Sequence, residues 1–316
     1  MNKDPLPIVQ AALLDKQQEE QHWLIEGLWA RSAIGLIGGA PKCCKTWLGL
    51  DMAVSVATGT KALGHFETKA PGKALVFLAE DALPQVRSRI EALCRQRYKD
   101  IALLDLYVIT APVLRLDLAP DQERLAQAVE QLRPRLLLLD PLVRLHRLDE
   151  NSAAEISGLL GYIRDLQRRF DVAIVLVHHA SKKQRSQPGQ ALRGSSDLHA
   201  IGDCNAYLAR DGDRIVLTLE HRAAKAPPPM VLELVAGQGG EPTYLRVLAG
   251  GQEREADSVD DLPQKLIAVL ASATAPQSRA ALRERLRVNN QRLGNALQAL
   301  LEDGQATRAE LGWSLA

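Results

Sequence analysis

The chain has 316 residues, with 39 lysines and arginines against 38 aspartates and glutamates, for a formal net charge of +1. That length predicts about two domains with a sizeable core, and the balanced charge excludes nucleic-acid binding by the whole surface, leaving only local patches. Cys43, Cys44, Cys94 and Cys204 are too few and too irregular for a disulfide framework or a zinc site. No apolar run reaches the roughly 18 residues of a membrane span or forms a signal-peptide core. A cytoplasmic protein with reduced thiols and no membrane partner is expected.

Residues 1–32 read as mixed and partly helical, with Trp23, Leu24, Ile25, Leu28 and Trp29 clustered before the first core strand. The cluster is expected to pack on the core; the alternative is an arm that docks on a neighbouring subunit. Ala33 to Ile37 is an apolar strand that runs into Gly38-Gly39-Ala40-Pro41-Lys42-Cys43-Cys44-Lys45-Thr46. A helical pattern follows from Trp47 to Ala57, with Thr58-Gly59-Thr60 as its stop. Strand, tight loop and helix is the context that a phosphate-binding P-loop requires. Backbone N–H groups at a helix N-terminus converge on the phosphates, the lysine neutralises their charge, and the Ser/Thr hydroxyl holds Mg²⁺. Against G-x-x-x-x-G-K-[ST], Gly39, Lys45 and Thr46 fit, and Cys44 replaces the last glycine. If the backbone needs positive φ there, a side chain costs about 1–2 kcal/mol.

Lys73 to Ala79 is a nearly continuous apolar strand that ends in Glu80-Asp81. Pro84 to Arg97 reads as helix, Leu106 to Thr110 as strand, and Pro120 to Leu132 as an amphipathic helix with Pro120 near its first turn. Four leucines, Leu136 to Leu139, lead to Asp140-Pro141; Ser152 caps a helix to Phe170; and Val172 to Val177 ends in His178-His179. This alternation predicts an α/β fold with a mostly parallel central sheet covered on both faces. In such sheets ligands bind at the carboxyl ends of the strands, so the loop, Glu80-Asp81, Asp140 and the histidine pair are expected to converge. Asp140 is placed to hold Mg²⁺ directly or through water, Glu80 to orient or deprotonate an attacking water, and one imidazole to face the γ-phosphate. The plain alternatives are a turn or capping aspartate, a surface acid and a solvated loop.

Lys182 to Arg193 is a basic loop rich in helix breakers. Beyond it, Asn205–Arg210 and Arg214–Glu220 flank Asp211-Gly212-Asp213, a hairpin signal, and Val231–Leu234 with Tyr244–Leu248 form a second antiparallel pair. Residues 250–261 read as an acidic linker. Three helical patterns, Leu262–Ala273, Ser278–Leu286 and Asn289–Glu302, precede two strand-like pieces, which is a winged-helix pattern. The expected divisions are an N-terminal segment 1–30, a nucleotide-binding core 31–249, the linker, and a winged-helix-like domain 262–316.

As an ordered set, the motifs are Gly39-x-Pro41-Lys42-x-x-Lys45-Thr46, Glu80-Asp81, Leu139-Asp140-Pro141-Leu142 with Asp149-Glu150-Asn151, His178-His179-x-x-Lys182, and Arg193-Gly194-Ser195. Over about residues 23–248 they resemble the RecA-like hexameric ATPases, most closely the plasmid RepA-type replicative helicases. The resemblance implies a RecA-like P-loop NTPase core that binds ATP and Mg²⁺ and assembles as a homo-hexamer on DNA. Nucleotide would meet Gly39, Ala40, Pro41, Lys42, Cys43, Cys44, Lys45, Thr46 and Arg89, with Mg²⁺ on Thr46 and Asp140. Glu80 would be the catalytic glutamate and His179 the sensor. Arg222 would be a finger supplied to a neighbour's site, with Arg210 as fallback; relatives often carry lysine where this chain has Glu220. Lys182, Lys183, Arg185 and Arg193 would contact single-stranded DNA in the ring's channel. Asn289, Asn290, Arg292 and Asn295, with Arg283, Arg285 and Arg287 just before, would let the C-terminal unit read duplex DNA, unless it docks protein instead. The expected function is a DNA-dependent ring ATPase of helicase or translocase type, in plasmid, phage or mobile-element replication. The alternative, favoured by Cys44 and Glu220, is an ATP-switched DNA-binding adaptor or regulator with little hydrolysis.

Overall fold

The computed structural model of the chain describes residues 8–13, 23–150, 152–179, 196–211, 214–237, 241–248, 261–273, 275–286, 290–309 and 312–315. Two compact units divide the chain, Met1–Leu248 and Ala249–Ala316.

The first unit opens with β1 (Trp23–Ile25) and β2 (Trp29–Ala30), an antiparallel ribbon turned at Gly27. Residues 1–32 read as mixed and partly helical; the described part has a short 3₁₀ turn at Ala11–Leu13 and strand at the tryptophan cluster. Gly27 takes φ 70, a left-handed turn that breaks a helix and suits a tight reversal. Leu24, Ile25, Leu28 and Trp29 are buried in the core, and the Trp29 indole donates to the Ala33 carbonyl at 3.3 Å.

Then come β3 (Ile34–Gly39), α1 (Lys45–Thr58), β4 (Ala74–Leu78), α2 (Leu83–Gln96), β5 (Leu106–Val108), α3 (Ala119–Leu132), β6 (Leu136–Asp140), α4 (Ala153–Phe170) and β7 (Ala173–His179). A short α5 (Ser196–Ala200) precedes β8 (Cys204–Asp211), β9 (Arg214–His221), β10 (Met230–Val235) and β11 (Tyr244–Val247). One nine-stranded sheet takes them in the order β11-β10-β9-β8-β3-β7-β6-β4-β5. From β8 to β5 every pairing is parallel; from β8 to β11 every pairing is antiparallel. The helical crossovers account for the parallel half, and the hairpins account for the rest.

Strand alternation sorts the core into two layers. Leu136 and Leu138 of β6, with Val175 and Val177 of β7, pack on the side of α1 and α2. Leu137 and Leu139, with Ile174 and Leu176, pack on the side of α3 and α4. Helix α1 lies close on β6, because a Cβ at Gly49 would come within 2.8 Å of Leu138. It begins two residues earlier than Trp47, which places Lys45 and Thr46 in its first turn. Strand β7 continues through His179, two residues beyond the apolar run.

The second unit contains α6 (Asp261–Ala271), α7 (Arg279–Leu286) and α8 (Asn290–Glu302), followed by an antiparallel ribbon of β12 (Ala306–Ala309) and β13 (Gly312–Leu315). Leu266, Leu282, Leu293, Leu297 and Trp313 give it a core of its own. Among the described residues no helix is long and apolar enough to cross a membrane. Lys182, Lys183, Arg185, Arg193, Arg287 and Asn289, and all of the linker except its last residue, lie outside the described residues.

Candidate functional site

The loop after β3 is set by its neighbours in the sheet. Gly38 and Gly39 pair with His178 and His179 of β7 on one side, and with Tyr207 and Leu208 of β8 on the other. A Cβ at Gly39 would lie 2.3 Å from the Leu208 carbonyl oxygen, so the chain can pass there only as glycine. Lys42 and Cys44 both occupy left-handed backbone, with φ 64 and φ 67. Cys44 is the residue before α1, at the position where the motif has glycine, and it carries the strain that glycine avoids.

The Lys45 ammonium is buried in the loop, where it donates to the carbonyls of Gly39 at 2.9 Å and Ala40 at 2.8 Å. Burial lowers its pKa, against the pull of Cys43 and Asp140. The buried Cys43 thiol donates to the Ala40 carbonyl at 2.8 Å. Burial pushes its pKa up, opposed first by the nearby Lys45 charge, and pushes Cys44 up as well, opposed first by Arg210. Two such protonated thiols make weak nucleophiles.

Asp140 ends β6 beside Leu78 of β4, on the α1 face of the sheet, and is buried. Burial pushes its pKa to about 6; the Thr46 hydroxyl, hydrogen-bonded to it, works the other way, and the charges of Asp81 and Glu80 add to the rise. Its second oxygen, Oδ2, is buried without a hydrogen-bond partner. An unpaired carboxylate oxygen next to a threonine hydroxyl and a lysine fits a magnesium-type cation, which takes one or two protein oxygens and completes its shell with phosphate and water. Thr46 and Asp140 are the residues that would hold it.

Glu80 stands two residues past β4. Its carboxylate is half-exposed and pairs with the Arg144 Nε at 2.8 Å. Arg144 lies in a short 3₁₀ turn, Leu142–Arg144, just after β6. Asp81 pairs with Arg89, whose guanidinium also lies 5.7 Å from the Trp47 ring centre. Arg89 is thus engaged by Asp81 and Trp47, close to the loop but turned to these partners.

The histidine pair is split by strand alternation. His179 takes the α1 face, in register with Gly39. His178 takes the opposite face, where it is buried with Nε2 3.2 Å from Glu150 Oε2, and Glu150 also faces His146 at 3.4 Å. Burial opposes the Glu150 charge, but the two imidazoles, His146 beside it and His178 hydrogen-bonded to it, outweigh that and hold the carboxyl at about 2. Sequence reading quoted Glu150 without giving it a partner, and it missed His146.

Arg222 follows β9 at the other end of the sheet. Cys204 pairs with His221 there, whereas Leu208, four residues along β8, pairs with Gly39. A strand the length of β3, at roughly 3.3 Å per residue, separates that edge from Lys45. Arg222 pairs with Asp203 at 3.2 Å and also donates to the Ala200 carbonyl. Glu220 accepts from the Tyr207 hydroxyl at 3.1 Å and meets His199 at 2.9 Å. Arg210, in contrast, sits on its own chain's loop, with Nε donating to the Lys42 carbonyl at 3.2 Å. This corrects its reading as a fallback finger: β8 runs parallel to β3, so its C-terminal end arrives at the P-loop of the same chain.

A family profile described as an AAA domain matches residues 2–185, more than half of the chain, and the chain belongs to that family. Among solved structures, one described as an ATPase domain is similar at 14% identity with a TM-score of 0.51, over 65% of this chain and 82% of that one. A DnaB-like replicative helicase, described with its interactions with primase, is similar at 14% identity with a TM-score of 0.52, over 65% of this chain and 56% of that one. The fold is therefore the RecA-like P-loop fold with a mostly parallel central sheet.

Proposed function

We propose that the protein is an ATP-hydrolysing, DNA-dependent ring ATPase of helicase or translocase type, of the plasmid RepA kind. It would act as a cytoplasmic homo-hexamer in plasmid, phage or mobile-element replication. The observation that supports this most is the arrangement beneath the loop: Lys45 and Thr46 begin α1, and Thr46 bonds to Asp140, whose other oxygen is buried and unpaired. In this reading Lys45 leaves the Gly39 and Ala40 carbonyls for the phosphates, which the first amides of α1 also bind. Mg²⁺ held by Thr46 and Asp140 would neutralise charge on the transferred phosphoryl group. Glu80, once released from Arg144, would accept the proton of the attacking water. His179 would sense the γ-phosphate, and Arg222 of a neighbouring copy would complete the site. Lys182, Lys183, Arg185 and Arg193 would grip single-stranded DNA, while the C-terminal unit would act as a winged helix on duplex DNA or on protein.

A second reading, an ATP-switched DNA-binding adaptor with little hydrolysis, draws on two observations. Glu80 is held by Arg144, and Cys44 occupies left-handed backbone. ATPase rates with and without single-stranded DNA separate the two. For the motor, DNA stimulates turnover, Lys45→Ala abolishes it, and Cys44→Gly leaves it unchanged or raises it. Turnover no higher than the Lys45→Ala background removes the motor and leaves the switch.

A further inference from the structure

The P-loop has two left-handed residues that are not glycine, Lys42 and Cys44, and its shape must be held by contacts rather than by intrinsic preference. Three of those contacts are internal: Lys45 on the carbonyls of Gly39 and Ala40, and the Cys43 thiol on Ala40. Under the proposed function the Lys45 contacts are temporary, because the same ammonium must turn to a bound phosphate. Arg210 grips the loop from outside, its Nε on the Lys42 carbonyl at 3.2 Å. Its backbone is placed by its strand: Ala206, Tyr207 and Leu208 pair with Ile37, Gly38 and Gly39, so Arg210 follows two residues after the last pair and its exposed side chain starts beside the loop. The starting point of the grip is therefore set by the sheet and not by the loop's own residues.

We infer that Arg210 is a positioning residue of the nucleotide site, clamping the Lys42–Cys44 turn so that the loop keeps its shape when Lys45 turns to phosphate. The inference rests on the nucleotide-binding reading of the loop. It also couples Arg210 to Cys44: part of the strain that the clamp resists comes from position 44 not being glycine, and the rest from Lys42. Arginine suits the role because its guanidinium presents Nε–H in a rigid fork, which a lysine ammonium does not reproduce.

The test is a double-mutant cycle on the full chain, with a fluorescent ATP analogue and Mg²⁺, read as the dissociation constant and as KM against kcat. Arg210→Ala is expected to weaken binding about five- to tenfold, the scale of one ordinary hydrogen bond, as suits an exposed contact. The loss falls on the dissociation constant and KM rather than on kcat. Arg210→Lys recovers less than half of it. In the Cys44→Gly background, Arg210→Ala is expected to weaken binding by clearly less than it does in the wild type, which is the coupling that a shared strained turn requires. Equal losses in both backgrounds, no loss in either, or full recovery by lysine overturn the clamp. Binding that vanishes in Lys45→Ala while the cycle is additive removes the role of Arg210 alone. If the wild type binds the analogue no better than Lys45→Ala does, the nucleotide reading falls and the clamp falls with it.

Discussion

Burial takes Asp140 out of water beside Glu80 and Asp81, and the folded chain without cation holds its carboxyl at about 6, up from 3.8. A raised acid contributes stability that is complete below the unfolded value and is lost as pH rises through the folded one. At pH 8 Asp140 therefore costs the empty protein free energy, of order 1–3 kcal/mol for a shift of this size. Asp140→Asn is expected to raise the thermal midpoint of the metal-free protein at pH 8, with the difference shrinking as pH falls towards 4, and to weaken Mg·ATP binding. A lower midpoint at pH 8 would count against this picture of a site that gives up stability for an open oxygen. At this scale, Lys45 and Thr46 could be read because a motif fixes their spacing, and Asp140 because it ends a run of four leucines. Arg144 and Arg210 were not: Arg144 reaches Glu80 across 64 residues of sequence, and Arg210 reaches Lys42 across 168. No local pattern marks such pairs.

Among the elements, the helix that carries the P-loop is tied to the helix that follows Glu80. Asp51 of α1 and Arg97, just after α2, form an ion pair at 2.6 Å with side chains 1% and 4% exposed. Asp51 also accepts from the Leu63 amide at 2.6 Å, and Arg97 donates to Ser55 at 3.2 Å. Burial pushes the Asp51 pKa up, and Arg97 is the main force against that. Removing one partner leaves the other charge buried, so Arg97→Ala should destabilise the protein by about 3–5 kcal/mol in denaturant unfolding. A loss below about 1 kcal/mol would mean that the two helices are not joined there. The strand–helix alternation of this unit could be read from apolar runs and their polar ends. The ribbon of β1 and β2 could not, because strands of three and two residues are too short for periodicity to register. His178 and His179 read as the polar end of a strand with one imidazole at the phosphate, and a strand that continues through them sends them to opposite faces.

At the scale of the molecule, the RecA-like unit carries its candidate residues at two ends. The loop, Asp140, Glu80, His179 and Arg210 gather at the carboxyl edge of the parallel strands, and Arg222 lies at the other. That topology was implicit in the sequence, since the run of crossovers fixes strand direction and the first hairpin after them must return to the opposite edge. The consequence is that Arg222 has no route to its own chain's phosphates. If it serves catalysis, it does so in a neighbouring copy. The most direct measurement is therefore single-stranded-DNA-stimulated ATP turnover by Arg222→Ala, with ATP binding measured alongside. The account predicts a fall in turnover of about a thousandfold, the lower range for an arginine finger, with ATP affinity close to that of the wild type. Turnover at the wild-type rate would contradict it.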